Sequence, residues 1–131
     1  MDQSMSNFYT DVRDFHIAFS QPVGDKPHLP EENERHLRKT LLQEEMNEYF
    51  AAEADNDLVE VADALADIIY IACGTAVSYG IPLDKVFEEV HRSNMAKLVD
   101  GKPLKRADGK VIKPEGWTPP DIAGVLKKSH R

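Results

Sequence analysis

The sequence predicts an all-α fold: a bundle of four to five helices around a central antiparallel hairpin that carries carboxylates, ending in a loop-rich C-terminal tail. Three observations predict it. Apolar residues recur at helical spacing through several separate segments. No segment alternates convincingly with period two. The breaks between segments hold proline, glycine, asparagine or aspartate, the residues that end helices. The chain has 131 residues, read as a single domain over 1–131 with its tail at 99–131.

The elements follow in order. Phe8, Val12, Phe15 and Phe19 share one helical face and place a first helix near 6–20. Pro22, Gly24, Pro27 and Pro30 make the next stretch a loop. Pro30 followed by Glu31 and Glu32 starts a second helix, since proline suits a first turn and acids meet the positive end of the dipole. It runs to about Ala54, and Asp55-Asn56-Asp57 breaks it. Asp57 with Glu60 resembles a capping box opening a third helix, which Tyr79-Gly80-Ile81-Pro82 stops. A fourth helix spans about 83–98. Ala107-Asp108-Gly109-Lys110 signals a tight turn, and Pro119-Pro120-Asp121 opens a short last helix.

Composition excludes several classes. Apolar residues make up 41% and charged residues 30%, an ordinary globular balance. The uncharged run beginning at Ile68 is shorter than the ~20 residues of a spanning helix. The first residues show neither a basic nor an apolar signal region, and one cysteine makes no disulfide scaffold, so a cytoplasmic setting is expected. The net charge of −7 argues against a nucleic-acid polymer or a membrane surface as partner. That charge is unevenly spread. Residues 31–67 hold twelve acids and three bases, whereas residues 97–113 hold six bases and two acids.

The acids have a pattern. On a wheel of about 100° per residue, Glu44, Glu45 and Glu48 fall in the sector of Leu37, Leu41 and Ala52. The third helix is apolar on nearly every side and so is expected to be buried, yet Glu60, Asp63 and Asp67 form one stripe along it. Burying unpaired carboxylates costs several kcal/mol, so something must offset it. In an antiparallel hairpin turning near residue 55 or 56, Glu45 lies level with Asp67 and Glu48 with Asp63, with Glu44 beside them. Hard oxygens without imidazole or thiolate suit Mg²⁺ or Mn²⁺. For Glu60 a capping role and a metal role are equally open.

Glu45-x-x-Glu48 followed by Glu60-x-x-Asp63-x-x-x-Asp67 resembles the Glu-x-x-Glu … Glu-x-x-Asp signature of the all-α nucleoside triphosphate pyrophosphohydrolases, the MazG-like superfamily. Leu41-Leu42-Gln43-Glu44-Glu45, Ala64 through Tyr70, Val90 through Lys97, and the tail from Arg106 to Trp117 resemble its dUTPase-like and phosphoribosyl-ATP pyrophosphohydrolase-like branch. The chain departs from the pattern at Ala64, where an ungapped alignment expects an acid; Asp63 and Glu60 are the two candidates to replace it.

The resemblance implies Mg²⁺-dependent hydrolysis between the α- and β-phosphates of a nucleotide, with dUTP as one candidate substrate. It implies metal ligation by Glu44, Glu45, Glu48, Glu60, Asp63 and Asp67, with Glu44 or Glu45 activating water. Asn94, Lys97, Lys105, Arg106, Lys110 and Lys113 are candidates to meet the sugar and phosphates, and Phe15, His16 and Trp117 to frame the base. Trp117 has the alternative of pinning the tail, and Phe15 and His16 of serving the core. Similar enzymes build such sites at subunit contacts, which implies a homodimer or a dimer of dimers. Two other classes stay open: a di-iron or di-manganese carboxylate bundle using Glu88 and His91, and a non-catalytic module dimerising through the third helix.

Overall fold

The computed structural model describes residues 4–128. They form five helices and one two-stranded sheet: α1 (Ser4–Ala18), α2 (Glu32–Ala54), α3 (Leu58–Tyr79), α4 (Leu83–Met95), β1 (Leu98–Val99), β2 (Lys102–Pro103) and α5 (Ile122–Lys128). The all-α expectation holds. The chain divides into two compact units, one ending at Leu83 and one beginning at Asp84.

In the first unit, α3 is the central element and α1 and α2 both pack against it. Its start is fixed by Asp57, whose Oδ1 accepts the Glu60 N–H at 3.1 Å. Its end is fixed by Gly80, which takes φ +69° and returns its N–H to the carbonyls of Ala76 and Val77. A side chain at Gly80 would also strike the Lys26 carbonyl, because the α1–α2 loop lies against this helix end. The loop is tied there by Gly24 N–H to the Val77 carbonyl (2.8 Å) and His28 N–H to the Tyr79 carbonyl (3.0 Å).

The core consists of small residues: Val12, Ala52, Ala64, Cys73, Ala76 and Val77. Small side chains let the helices approach closely, but they cover little of α3. Here one expectation is corrected. Although α3 is long and apolar enough to cross a membrane by composition, only 33% of its most apolar stretch is buried. Leu58 is 80% exposed and Val59 75%. Two packed neighbours cannot surround a helix, so its outer flank stays open within one chain. The same reason leaves Asp63 exposed, where an all-round buried helix would have enclosed it.

The second unit is organised by α4. The Glu89 carboxylate pairs with Arg92 (2.8 Å) and accepts the backbone N–H of Asp121 (2.8 Å). Asp121 in turn caps α5 by accepting the Gly124 N–H at 3.0 Å. Buried Ser93 donates to the Thr118 carbonyl, and Trp117 Nε1 donates to the Ser93 carbonyl at 2.7 Å. The strands β1 and β2 pair in antiparallel register, Leu98 with Pro103 and Val99 with Lys102. Asp100 and Gly101 both take positive φ between them, as a tight two-residue hairpin requires. The turn expected at Ala107–Lys110 is present as well, flanked by a bridge between Lys105 and Val111.

Candidate metal centre

Residues equidistant from the Asp55–Asp57 turn meet across the α2–α3 hairpin. Glu45 and Glu48 stand one turn apart on α2, and Asp67 reaches them from α3. Each offers one carboxylate oxygen, and the three oxygens lie within 4.8 Å of one another. Among the described residues, this is the group of three or more potential ligands close enough to hold one ion.

The electrostatics of Glu45 show the strain of that convergence. Its Oε1 is sealed from solvent and receives no hydrogen bond. Burial pushes its carboxyl above the ordinary value of 4.5, and the charges of Asp67, Glu48 and Asp63 push the same way. A sealed acceptor without a donor costs about 1–3 kcal/mol. A cation would supply the missing partner. The donors are all hard oxygens, which fit Mg²⁺ or Mn²⁺ and give no preference to zinc or copper.

The other predicted ligands lie around this trio. Glu44 is exposed beside Glu45, and Asp63 is exposed but close enough for its charge to act on Glu45. Ala64, at the position where the signature expects an acid, is 2% exposed and belongs to the core. Glu60 is exposed in the first turn of α3, where its own N–H takes the Asp57 cap.

Of the residues expected to meet a base, Phe15 stacks on Phe19 (4.3 Å between centroids) and meets Tyr70 edge-on (5.8 Å). His16 is 3% exposed, with Nδ1 2.7 Å from the Pro22 carbonyl. Trp117 lies in the second unit, with Lys97 and Lys113 Nζ at 5.3 and 5.1 Å from its ring centroid. Lys97 donates to Asn94 Oδ1 at 3.1 Å, and Arg106 pairs with Asp108 at 2.7 Å. Lys105, Lys110 and Lys113 are exposed.

One arrangement escapes the sequence reading. Arg38 is buried on α2 and donates to Thr75 Oγ1 (3.0 Å) and the Ile71 carbonyl (3.1 Å) of α3. Burial lowers its pKa, while Glu34 and Tyr79 act to raise it. The guanidinium fits because Gly74 has no side chain: a Cβ there would stand 2.5 Å from Arg38 Nη2 and 3.0 Å from His16 Nε2. The available signal was the glycine, since a mid-helix Gly costs about 1 kcal/mol relative to Ala and needs a packing reason.

Comparison with known proteins agrees with this geometry. Residues 12–94 match the family described as phosphoribosyl-ATP pyrophosphohydrolase, within the MazG-like all-α superfamily. The chain is also similar to an uncharacterized protein of Acanthamoeba polyphaga mimivirus, 34% identical over 80 residues. That alignment covers 58% of this chain but 32% of the viral protein, so the chain spans about a third of that relative's length.

Proposed function

The chain belongs to the phosphoribosyl-ATP pyrophosphohydrolase family, and from that premise we propose that it hydrolyses a nucleoside triphosphate between its α- and β-phosphates, releasing pyrophosphate and the monophosphate, with Mg²⁺. The family supports pyrophosphohydrolase-type activity on a nucleotide. The observation that carries the finer reading is the convergence of Glu45, Glu48 and Asp67 around a sealed, unpartnered carboxylate oxygen.

Those three residues would hold the metal, with Asp63 adding charge beside them. When bound, the cation stabilises charge on phosphate oxygens and makes water a better nucleophile. Glu44, exposed beside the trio, is free to take the proton of the attacking water, and Glu45 orients within the trio. Asn94, Lys97, Lys105, Arg106, Lys110 and Lys113 are the proposed contacts for the nucleotide's sugar and phosphates. A second copy of the chain is the proposed cover for the open flank of α3 at Leu58, Val59 and Leu65. The dUTPase-like resemblance implies uracil as one candidate base.

The test is pyrophosphate release from a panel of nucleoside triphosphates with Mg²⁺, with and without chelator. Release that stops on chelation and is absent in Asp67→Asn supports the reading. Phosphate release without pyrophosphate, or release indifferent to metal, overturns it.

A further inference from the structure

A small pocket of about 230 Å³ lies between α1 and α3, lined by Phe8, Asp11, Val12, Ala66, Ile69 and Tyr70. Its position gives it meaning. Ala66 immediately precedes Asp67, and Tyr70 follows Asp67 by three residues, so the α3 wall of the pocket is built from the same turns of helix that carry Asp67 to the trio. Its volume is below the ~300 Å³ at which pockets begin to enclose a drug-sized molecule, so it holds a fragment and not a whole nucleotide. Its wall is aliphatic and aromatic, and Tyr70 is braced from behind by the edge of Phe15. Asp11 is the single charged residue on it.

From this juxtaposition we infer that the pocket binds the nucleobase of the substrate, and that Asp11 selects bases carrying an amino group, guanine foremost, over uracil and thymine. The inference rests on the proposed nucleotide substrate. Its chemistry is as follows. An apolar, aromatic slot favours a flat heterocycle, because every base presents a π-face. An ionised carboxylate only accepts hydrogen bonds. Guanine presents N1–H and N2–H₂ side by side, two donors that one carboxylate accepts together. Cytosine and adenine present one amino group beside a ring nitrogen. Uracil and thymine present one N3–H between two carbonyl oxygens, which face a carboxylate with repulsion. A paired contact of this kind discriminates roughly ten- to a hundredfold.

The experiment has two arms. In the first, pyrophosphate release with Mg²⁺ is compared for dGTP, dCTP, dATP, dTTP and dUTP in the wild type, Asp11→Asn and Phe8→Ala. The expected ranking puts dGTP first and dUTP and dTTP last. Asp11→Asn narrows the gap between dGTP and dUTP by about tenfold or more, and Phe8→Ala raises KM for all with little change in kcat. In the second arm, calorimetry measures dGMP and dUMP binding to the same proteins, with circular dichroism as the check on folding. The inference fails if dUTP leads, if Asp11→Asn leaves the ranking unchanged, or if Phe8→Ala alters oligomeric state and leaves nucleotide binding as it was, which marks the pocket as a contact between copies. If dGMP binds through Asp11 and no nucleotide yields pyrophosphate, the pocket stands and the proposed reaction falls.

Discussion

Asp67 faces Glu45 across the α2–α3 hairpin, and after burial its charge is the strongest influence holding the Glu45 carboxyl above its ordinary range. Two like charges placed together in a fold are tolerated when something else gains from them, and a cation held between them would be that gain.

Replacing Asp67 therefore separates stability from activity. Asp67→Asn is expected to raise the melting temperature of the chelator-treated protein by a few degrees, about 1 kcal/mol, because one repelling charge is gone. The same variant is expected to lose the stabilisation that Mg²⁺ or Mn²⁺ confers, and pyrophosphate release by about a hundredfold or more. Thermal melts with and without metal check the first pair of outcomes; a metal-induced shift retained in full would show that Asp67 is no ligand.

The pH dependence follows from the same pair. The folded state raises the Glu45 pKa above 4.5, so folding binds that proton more tightly than the unfolded chain does. Below the unfolded value the group costs nothing, and as pH rises through and beyond it the metal-free fold carries an increasing penalty. A bound cation cancels the penalty. The gap in melting temperature between Mg²⁺-loaded and chelated protein is expected to widen as pH rises above 4.5, until the Glu45 carboxyl is fully ionised. A gap that is constant or shrinks over that window would contradict the assignment.

Glu89 gives the opposite sign. Its hydrogen bonds to Arg92 and to the Asp121 N–H hold its pKa at about 2, down from 4.5. A depressed carboxyl stabilises above the unfolded value, and the contribution is lost as pH falls from 4.5 toward about 2. Acidification over that window is expected to release the Asp121 N–H from Glu89 and loosen the approach to α5, close to Trp117. Trp117 is the chain's single tryptophan and donates to Ser93, so its emission reports the change. Glu89→Gln is expected to remove the acid-dependent step.

Gly74 tests the polar contacts inside the first unit. Gly74→Ala would drive a Cβ against Arg38 Nη2 and His16 Nε2 and is expected to destabilise by about 1–3 kcal/mol, despite alanine's better helix propensity. Arg38→Ala is expected to cost about 1–3 kcal/mol, since it takes the guanidinium donor from Thr75 Oγ1 and the Ile71 carbonyl. Chemical denaturation measures both. A neutral Gly74→Ala would show that the arginine has room to move.

Periodicity and punctuation made the helices legible in the residues alone. Asp57 and Gly80 bound α3 through the local chemistry of a cap and a left-handed turn, and both devices depend on only a few neighbouring residues. The meeting of Glu45 with Asp67 was legible for a related reason: a short turn and a constant rise per residue set which positions are level. What pattern alone left undecided was how much of α3 any neighbour covers. An apolar circumference says that burial is favourable but does not supply the helices to achieve it, and within one chain α1 and α2 leave Leu58 and Val59 in the open. The placement of Arg38 against Gly74, and of Asp11 and Phe8 against Tyr70, came only from the fold. These contacts join residues dozens of positions apart, and their geometry is set by how closely small side chains let the helices approach.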